Sequence, residues 1–117
     1  MVEPKKSLGQ HFLTNNRVVQ NIVTAGNVSQ GDTILEIGPG TGVLTKALLT
    51  TGATVIAIEA DIRAIELLHN TFHEEMKRGQ LVLHHEDIRT FDIASLKLTD
   101  RGYKVIANIP YYICLLY

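Results

Sequence analysis

The sequence predicts an α/β chain with a parallel sheet wound by right-handed crossovers. Three observations predict it. Short β-branched runs recur at residues 33–37 (TILEI), 54–59 (TVIAIE), 80–84 and 104–108 (KVIAN). Apolar residues at helical spacing lie between them. The resulting order, β-α-β-α-β-α-β, is that of buried strands joined by helices packed on the sheet.

Length and composition agree with that class. At 117 residues the chain is one small domain, and 45% apolar with 20% charged residues is ordinary globular composition. No apolar run approaches the roughly 20 residues of a membrane helix. Residues 1–20 are mostly polar and lack the apolar core of a secretory signal. The sole cysteine, Cys114, can form neither an internal disulfide nor a Cys-rich zinc site, which fits a reducing, cytoplasmic setting. Eleven Lys+Arg against twelve Asp+Glu leave a net charge of −1, which argues against nucleic-acid binding through bulk electrostatics alone. The only local excess is a small positive arm, Lys5, Lys6 and Arg17 against Glu3.

Residues 1–14, with Pro4, Ser7 and Gly9, read as an irregular lead-in to a domain over 15–117. Thr14, Asn15 and Asn16 are N-cap residue types. Val18, Val19, Ile22 and Val23 follow them on one helical face, which Gly26-Asn27 stops. Gln30-Gly31-Asp32 is a turn into the first strand. Glycines 38, 40 and 42 follow that strand and precede a helix carrying Val43, Leu44, Ala47 and Leu48. After the second strand, Asp61 caps a long helix whose stripe is Ile62, Ile65, Leu68, Phe72 and Met76. The third strand ends in Glu86-Asp87. Phe91, Ile93, Leu96 and Leu98 belong to a short helix or loop, and the fourth strand closes the pattern. The apolar tail from Ile113 to Tyr117 has no polar boundary, so the chain reads as cut inside a larger fold after its fourth strand. That strand is expected at an open edge, a hazard for self-association.

The chemistry lies at the strand ends. Glu36-Ile37-Gly38-Pro39-Gly40-Thr41-Gly42 joins a strand to a helix. Glycines let the backbone turn and let a ligand approach, above the free N–H groups of the helix start. A dinucleotide fold would show G-x-G-x-x-G; here the spacing is G-x-G-x-G, with Val43 at the place of the third glycine. That spacing, with Glu36 before it, suits a ligand without phosphates: S-adenosylmethionine (AdoMet), whose cationic head favours a carboxylate. The alternative is a glycine-rich turn without a ligand. Glu59, at the end of the second strand, can accept both hydroxyls of a ribose or cap the next helix. Asp87 can accept from the exocyclic amine of an adenine or serve as a turn residue.

The segment Asn108-Ile109-Pro110-Tyr111 ends the fourth strand. An aromatic amine is a poor nucleophile because its lone pair is delocalised into the ring. The Asn108 side-chain oxygen and a backbone carbonyl at Ile109 or Pro110 can accept both amine hydrogens and aim the lone pair at a methyl group. Pro110 stiffens the turn, and Tyr111 offers a stacking face worth about 1–3 kcal/mol. Catalysis of this kind is positioning. The alternative is a Pro-Tyr turn packed on the core. His69 and His73 stand at i, i+4, but no third ligand has a suitable spacing, so no metal site is expected.

Together, Lys6-Ser7-Leu8-Gly9-Gln10-His11-Phe12-Leu13, the 36–42 loop, Glu59, Glu86-Asp87 and Asn108–Tyr111 resemble the N-terminal part of the ribosomal RNA adenine dimethyltransferase family. The small-subunit members methylate two adjacent adenosines near the 3′ end of their rRNA. The resemblance implies a Rossmann-like class I AdoMet-dependent methyltransferase fold. It implies AdoMet as cofactor, the small-subunit rRNA or its precursor particle as partner, and no membrane or metal. His11 and Leu13 resemble positions that close over AdoMet, and Gly38 and Gly40 the loop beneath its methionine part. Glu59 resembles the ribose ligand, and Asp87 the adenine contact. Asn108 resembles the residue shared between cofactor and target amine, followed by Pro110, with Tyr111 as the stacking residue. Relative to the family, the chain is short and carries Cys114 where Ser or Thr is usual. Alone it is therefore expected to bind AdoMet weakly and be inactive. The reading from a different class is a non-catalytic rRNA-binding assembly factor that keeps the fold.

Overall fold

In a computed structural model, residues 16–98, 102–109 and 112–116 are described. Helix α1 spans Asn16–Ala25 and buries Val19 and Val23. It stops where Asn27 takes a left-handed conformation (φ 51°) and the Val28 N–H reaches back to the Val23 carbonyl. Strand β1 (Thr33–Ile37) leads through the glycine loop into α2 (Val43–Thr50). Strand β2 (Thr54–Glu59) leads into α3 (Ile62–Thr71), where the Asp61 carboxylate accepts the Arg63 N–H as an N-cap. A short α4 (His73–Lys77) precedes β3 (Leu81–His85). A 3-10 turn (Ile93–Leu96), capped by Asp92, precedes β4 (Lys104–Ile109). Strand β5 covers Tyr112–Leu116.

The sheet order is β3-β2-β1-β4-β5. Strands β1 to β4 are mutually parallel, and β5 runs antiparallel to β4. Chain direction across the sheet explains the site. The path steps outward from β1 to β2 to β3, then returns to the other flank of β1 as β4. Such a reversal opens a crevice beyond the carboxyl ends of β1 and β4. Ile34, Val55, Ala57, Leu81 and Ile106 of the sheet pack against Val19, Val23, Leu44, Leu48, Leu68 and Phe72 of the helices. Each Val, Leu, Ile or Phe among them contributes about 1.5–3 kcal/mol by leaving water. At the opposite end of the sheet, the Lys104 ammonium donates to the Asn27 carbonyl (2.7 Å) and to Asp32 (3.1 Å), tying β4 to the turn before β1.

The parallel α/β class read from the sequence stands, with four corrections of detail. First, β4 is not the edge of the sheet: β5 pairs along it, Asn108 opposite Ile113 and Ile109 opposite Tyr112. A link of two residues can join strands only antiparallel. The tail Tyr-Ile-Cys-Leu-Leu is rich in residues that favour strands. The expected association through an open β4 edge therefore loses its basis. Second, the single long helix is two, because the chain leaves helical geometry at Phe72 (φ −113°, ψ 32°), whose ring is buried. Third, Ile62 is half-exposed rather than in the core. Fourth, β3 begins at Leu81 and β4 runs on to Ile109. Among the described residues no helix is long and apolar enough to cross a membrane.

Candidate functional site

Register brings three of the expected site residues to one level. Ile37 pairs with Ile58 on one side and Ala107 on the other. Gly38, Glu59 and Asn108 each follow directly, so they head three adjacent strands spaced about 4.8 Å apart. Glu59 is also paired with His85, the last residue of β3, which places Glu86 and Asp87 just past the end of that strand. Backbone bonds lock this rim: the Gly38 N–H donates to the Ile58 carbonyl (2.9 Å) and the Glu86 N–H to the Glu59 carbonyl (3.0 Å).

The glycines of the loop do different work. Gly42 has φ 89°, and a Cβ there would lie 2.7 Å from the Phe72 ring and 2.9 Å from the Leu68 side chain. Its missing side chain is what lets α3 and Phe72 close on the start of α2. Gly40 also has positive φ (58°), but a Cβ there would meet nothing within 4 Å. The Gly40 side of the loop is the open wall of the crevice.

Two carboxylates lie under that loop. Glu36 is fully buried on β1, on the same sheet face as Glu59 of β2, since Glu36 pairs with Ala57 two residues before it. The Thr45 hydroxyl donates to Glu36 Oε1 at 2.6 Å, while Oε2 is buried without a hydrogen-bond partner. Burial pushes the Glu36 carboxyl up to about 7; the Thr45 hydrogen bond opposes this and the charge of Glu59 adds to it. Glu59, only 9% exposed, accepts the Gly40 N–H on Oε1 (3.0 Å) and the Asp61 N–H on Oε2 (2.9 Å). A carboxylate has about four lone-pair positions, so Glu59 keeps acceptor capacity for a pair of ligand hydroxyls. Among the described residues neither carboxylate is in an ion pair; the pairs are Arg63–Asp61, His73–Glu74, Arg89–Asp87 and Lys104–Asp32. Two buried carboxylates without a cation, one with an orphaned oxygen, beside an open glycine wall fit a cationic nucleoside ligand.

Asp87 stands at the rim as expected, but its carboxylate is engaged. It accepts the Arg89 N–H (2.9 Å) and is paired with the Arg89 guanidinium, closest at 2.7 Å. These bonds hold Asp87 down at about 2, the Arg89 side chain first and its backbone N–H second. Asp61 and Arg63 repeat the same arrangement after β2, each in an Asp-Ile-Arg tripeptide. Asp87 is thus a turn residue in this conformation, and serving a ligand amine requires Arg89 to yield an oxygen.

His11, Leu13, Pro110 and Tyr111 lie outside the described residues, and Asn108 is placed by its backbone register only. His69 and His73 are exposed on either side of the break at Phe72, and no group of three His, Cys, Asp or Glu among the described residues could hold a metal ion. Sequence reasoning missed Thr45, Asp61 as a donor to Glu59, and the arginine on Asp87. Thr45 had a signal: it stands four residues before apolar Leu49, and both are buried on α2.

The fold with this rim is that of class I AdoMet-dependent methyltransferases. The chain resembles a dimethyladenosine transferase from Plasmodium falciparum (TM-score 0.61, 26% identity, 80% of this chain and 41% of that one). It shares its fold with an RNA methyltransferase from Salinibacter ruber solved with S-adenosylhomocysteine (TM-score 0.60, 19% identity, 80% and 74%). The family model for ribosomal RNA adenine dimethylase matches residues 1–116, and the chain belongs to that family. It is 40% identical to ribosomal RNA small subunit methyltransferase A of Alkaliphilus oremlandii, over 92% of this chain and 38% of that protein. The counterpart from Thermosynechococcus vestitus is 41% identical over 97% and 40%. The chain thus spans about two-fifths of the length of these relatives.

Proposed function

We propose that this chain supplies the cofactor-binding and amine-positioning half of an AdoMet-dependent enzyme that dimethylates N6 of two adjacent adenosines near the 3′ end of small-subunit rRNA. The observation that carries the reading is the common level of Gly38, Glu59 and Asn108 at the reversal of strand order, in a chain matched by the family model from residue 1 to 116. The names of the 40%-identical relatives support the small-subunit rRNA as substrate. The single cysteine supports the cytoplasmic setting.

AdoMet bound here supplies an electrophilic methyl group on a sulfonium. Gly38 and Gly40 leave room for its methionine part, and Glu59 accepts its ribose hydroxyls while keeping the backbone bonds that shape the loop. Asp87 takes the adenine amine once Arg89 releases an oxygen, and His11 and Leu13 close the lead-in over the site. Asn108, with a carbonyl of the following turn, accepts the two hydrogens of the target amine and directs its lone pair. Pro110 holds that turn, and Tyr111 stacks on the target base. No strong base is required, because the attacking nitrogen loses its proton after the methyl arrives.

Methyl transfer to small-subunit precursor particles, measured with the whole enzyme of which this chain is proposed to be the cofactor-binding half, as wild type and as Asn108→Ala, tests the reading. Loss of transfer by at least a hundredfold in the variant with RNA binding retained supports it. Retained RNA binding with no transfer by the wild type overturns it in favour of an assembly factor.

A further inference from the structure

We propose that Thr45 and Glu36 make cofactor binding proton-linked: Glu36 holds a proton in the cofactor-free chain and gives it to solvent when the ligand's positive charge enters the crevice. The inference rests on the AdoMet reading above and concerns what this chain's own carboxyl group does.

The geometry carries the argument. Glu36 is fully buried, one oxygen accepts a single neutral hydroxyl, and the other has no partner. Ionised in this state, it would be a buried charge next to a second carboxylate, and both the burial and that neighbour disfavour the charged form. Among the described residues, only the Thr45 hydroxyl favours the charged form of Glu36. Strand β2 presents Glu59, another acid, each of whose oxygens accepts one backbone N–H, from Gly40 and from Asp61. Strand β4 places Ile106 beside it in register, and Lys104 of that strand is engaged with Asp32 and Asn27 at the far end. Helix α2 presents Thr45, and the neighbouring Lys46 is exposed. The neutral acid is therefore the resting form, as the upward shift to about 7 also indicates. When a cation arrives, the O–H bond breaks, its electron pair stays on the carboxylate, and the proton passes to water. Thr45 is a positioning residue: its hydroxyl steadies the anion that forms.

Linkage sets the size of the effect. With the free acid titrating near 7 and the liganded one well below 6, affinity rises about fivefold between pH 6 and pH 7. Calorimetric titration of the full chain with AdoMet, at pH 6 in buffers of different ionisation enthalpy, counts the protons directly. Nearly one proton released per ligand is expected. Glu36→Gln should bind without that release and with a flat profile over the same range. Thr45→Val should move the midpoint to higher pH, and Thr45→Ser should restore it, which a purely structural hydroxyl would not do. Binding without proton release by the wild type overturns the proposal alone, as does undiminished release by a folded Glu36→Gln. No binding at any pH overturns the cofactor reading and this proposal with it.

Discussion

Two pairs of acidic residues at the carboxyl rim of the sheet are treated in opposite ways. Glu36 and Glu59 are buried and answered only by a hydroxyl and by backbone N–H groups. Asp61 is exposed and Asp87 partly exposed to water, and each is paired with the arginine two residues on. The physical difference is the solvent. An exposed carboxylate gains little from its arginine, since water already stabilises both charges. A buried one has no such support, so its missing counter-charge is a standing demand that a ligand can meet. The inner pair is where binding energy can be gained, and the outer pair is where local turns are shaped.

The largest effect that sharpens this contrast is expected at the wall enclosing the inner pair. Gly42→Ala forces a side chain into left-handed backbone and against Phe72, a loss of about 2–5 kcal/mol in chemical denaturation. Gly40→Ala carries only the backbone cost, about 1–2 kcal/mol, and shows itself mainly as weaker cofactor binding. Equal losses of stability at the two glycines would break the assignment of one wall to packing and the other to the crevice.

Next is Glu59→Ala. Two part-buried N–H groups lose their acceptor, at about 1–3 kcal/mol each, offset in part by relief of the repulsion on Glu36. A net loss of about 2–4 kcal/mol is expected by urea unfolding.

The third test is the pH dependence of stability without cofactor. Glu36 titrates near 7 when folded against an ordinary 4.5. Below 4.5 the acid is protonated in both states and carries no penalty. As pH rises from 4.5 to 7 the unfolded chain loses its proton first, so stability falls, by about 3 kcal/mol in full. Glu36→Gln removes this component, so its stability relative to wild type should rise by about 3 kcal/mol from pH 4 to pH 8 in paired unfolding curves.

The smallest effect belongs to the outer pair. Arg89→Ala should leave the thermal midpoint almost unchanged while the Asp87 titration, followed by NMR, climbs from about 2 toward the ordinary range. A large drop in midpoint would erase the distinction between the two parts of the rim.

The strand-end positions of the candidate site were readable in the sequence. Gly38, Glu59, Asp87 and Asn108 stand where they do because strand ends are marked locally, by β-branched runs that stop at glycine, acid or asparagine. The break at Phe72 was not readable. The stripe through Ile65, Leu68 and Phe72 keeps helical period, and only the pocket left by Gly42, thirty residues away in sequence, decides where the ring must go. The pairing of β5 with β4 was also missed, because tail composition alone does not say which edge a strand will meet.

The sequence by itself determined the parallel α/β class, the order of the four parallel strands, and the residues that head each of them, because these follow from short-range periodicity and backbone sterics. Only the tertiary structure decided that Glu36 is sealed with Thr45, that Glu59 clasps the glycine loop, and that Asp87 is held by Arg89. Those facts depend on which segments meet and which are cut off from water, and burial is a property of the packed chain.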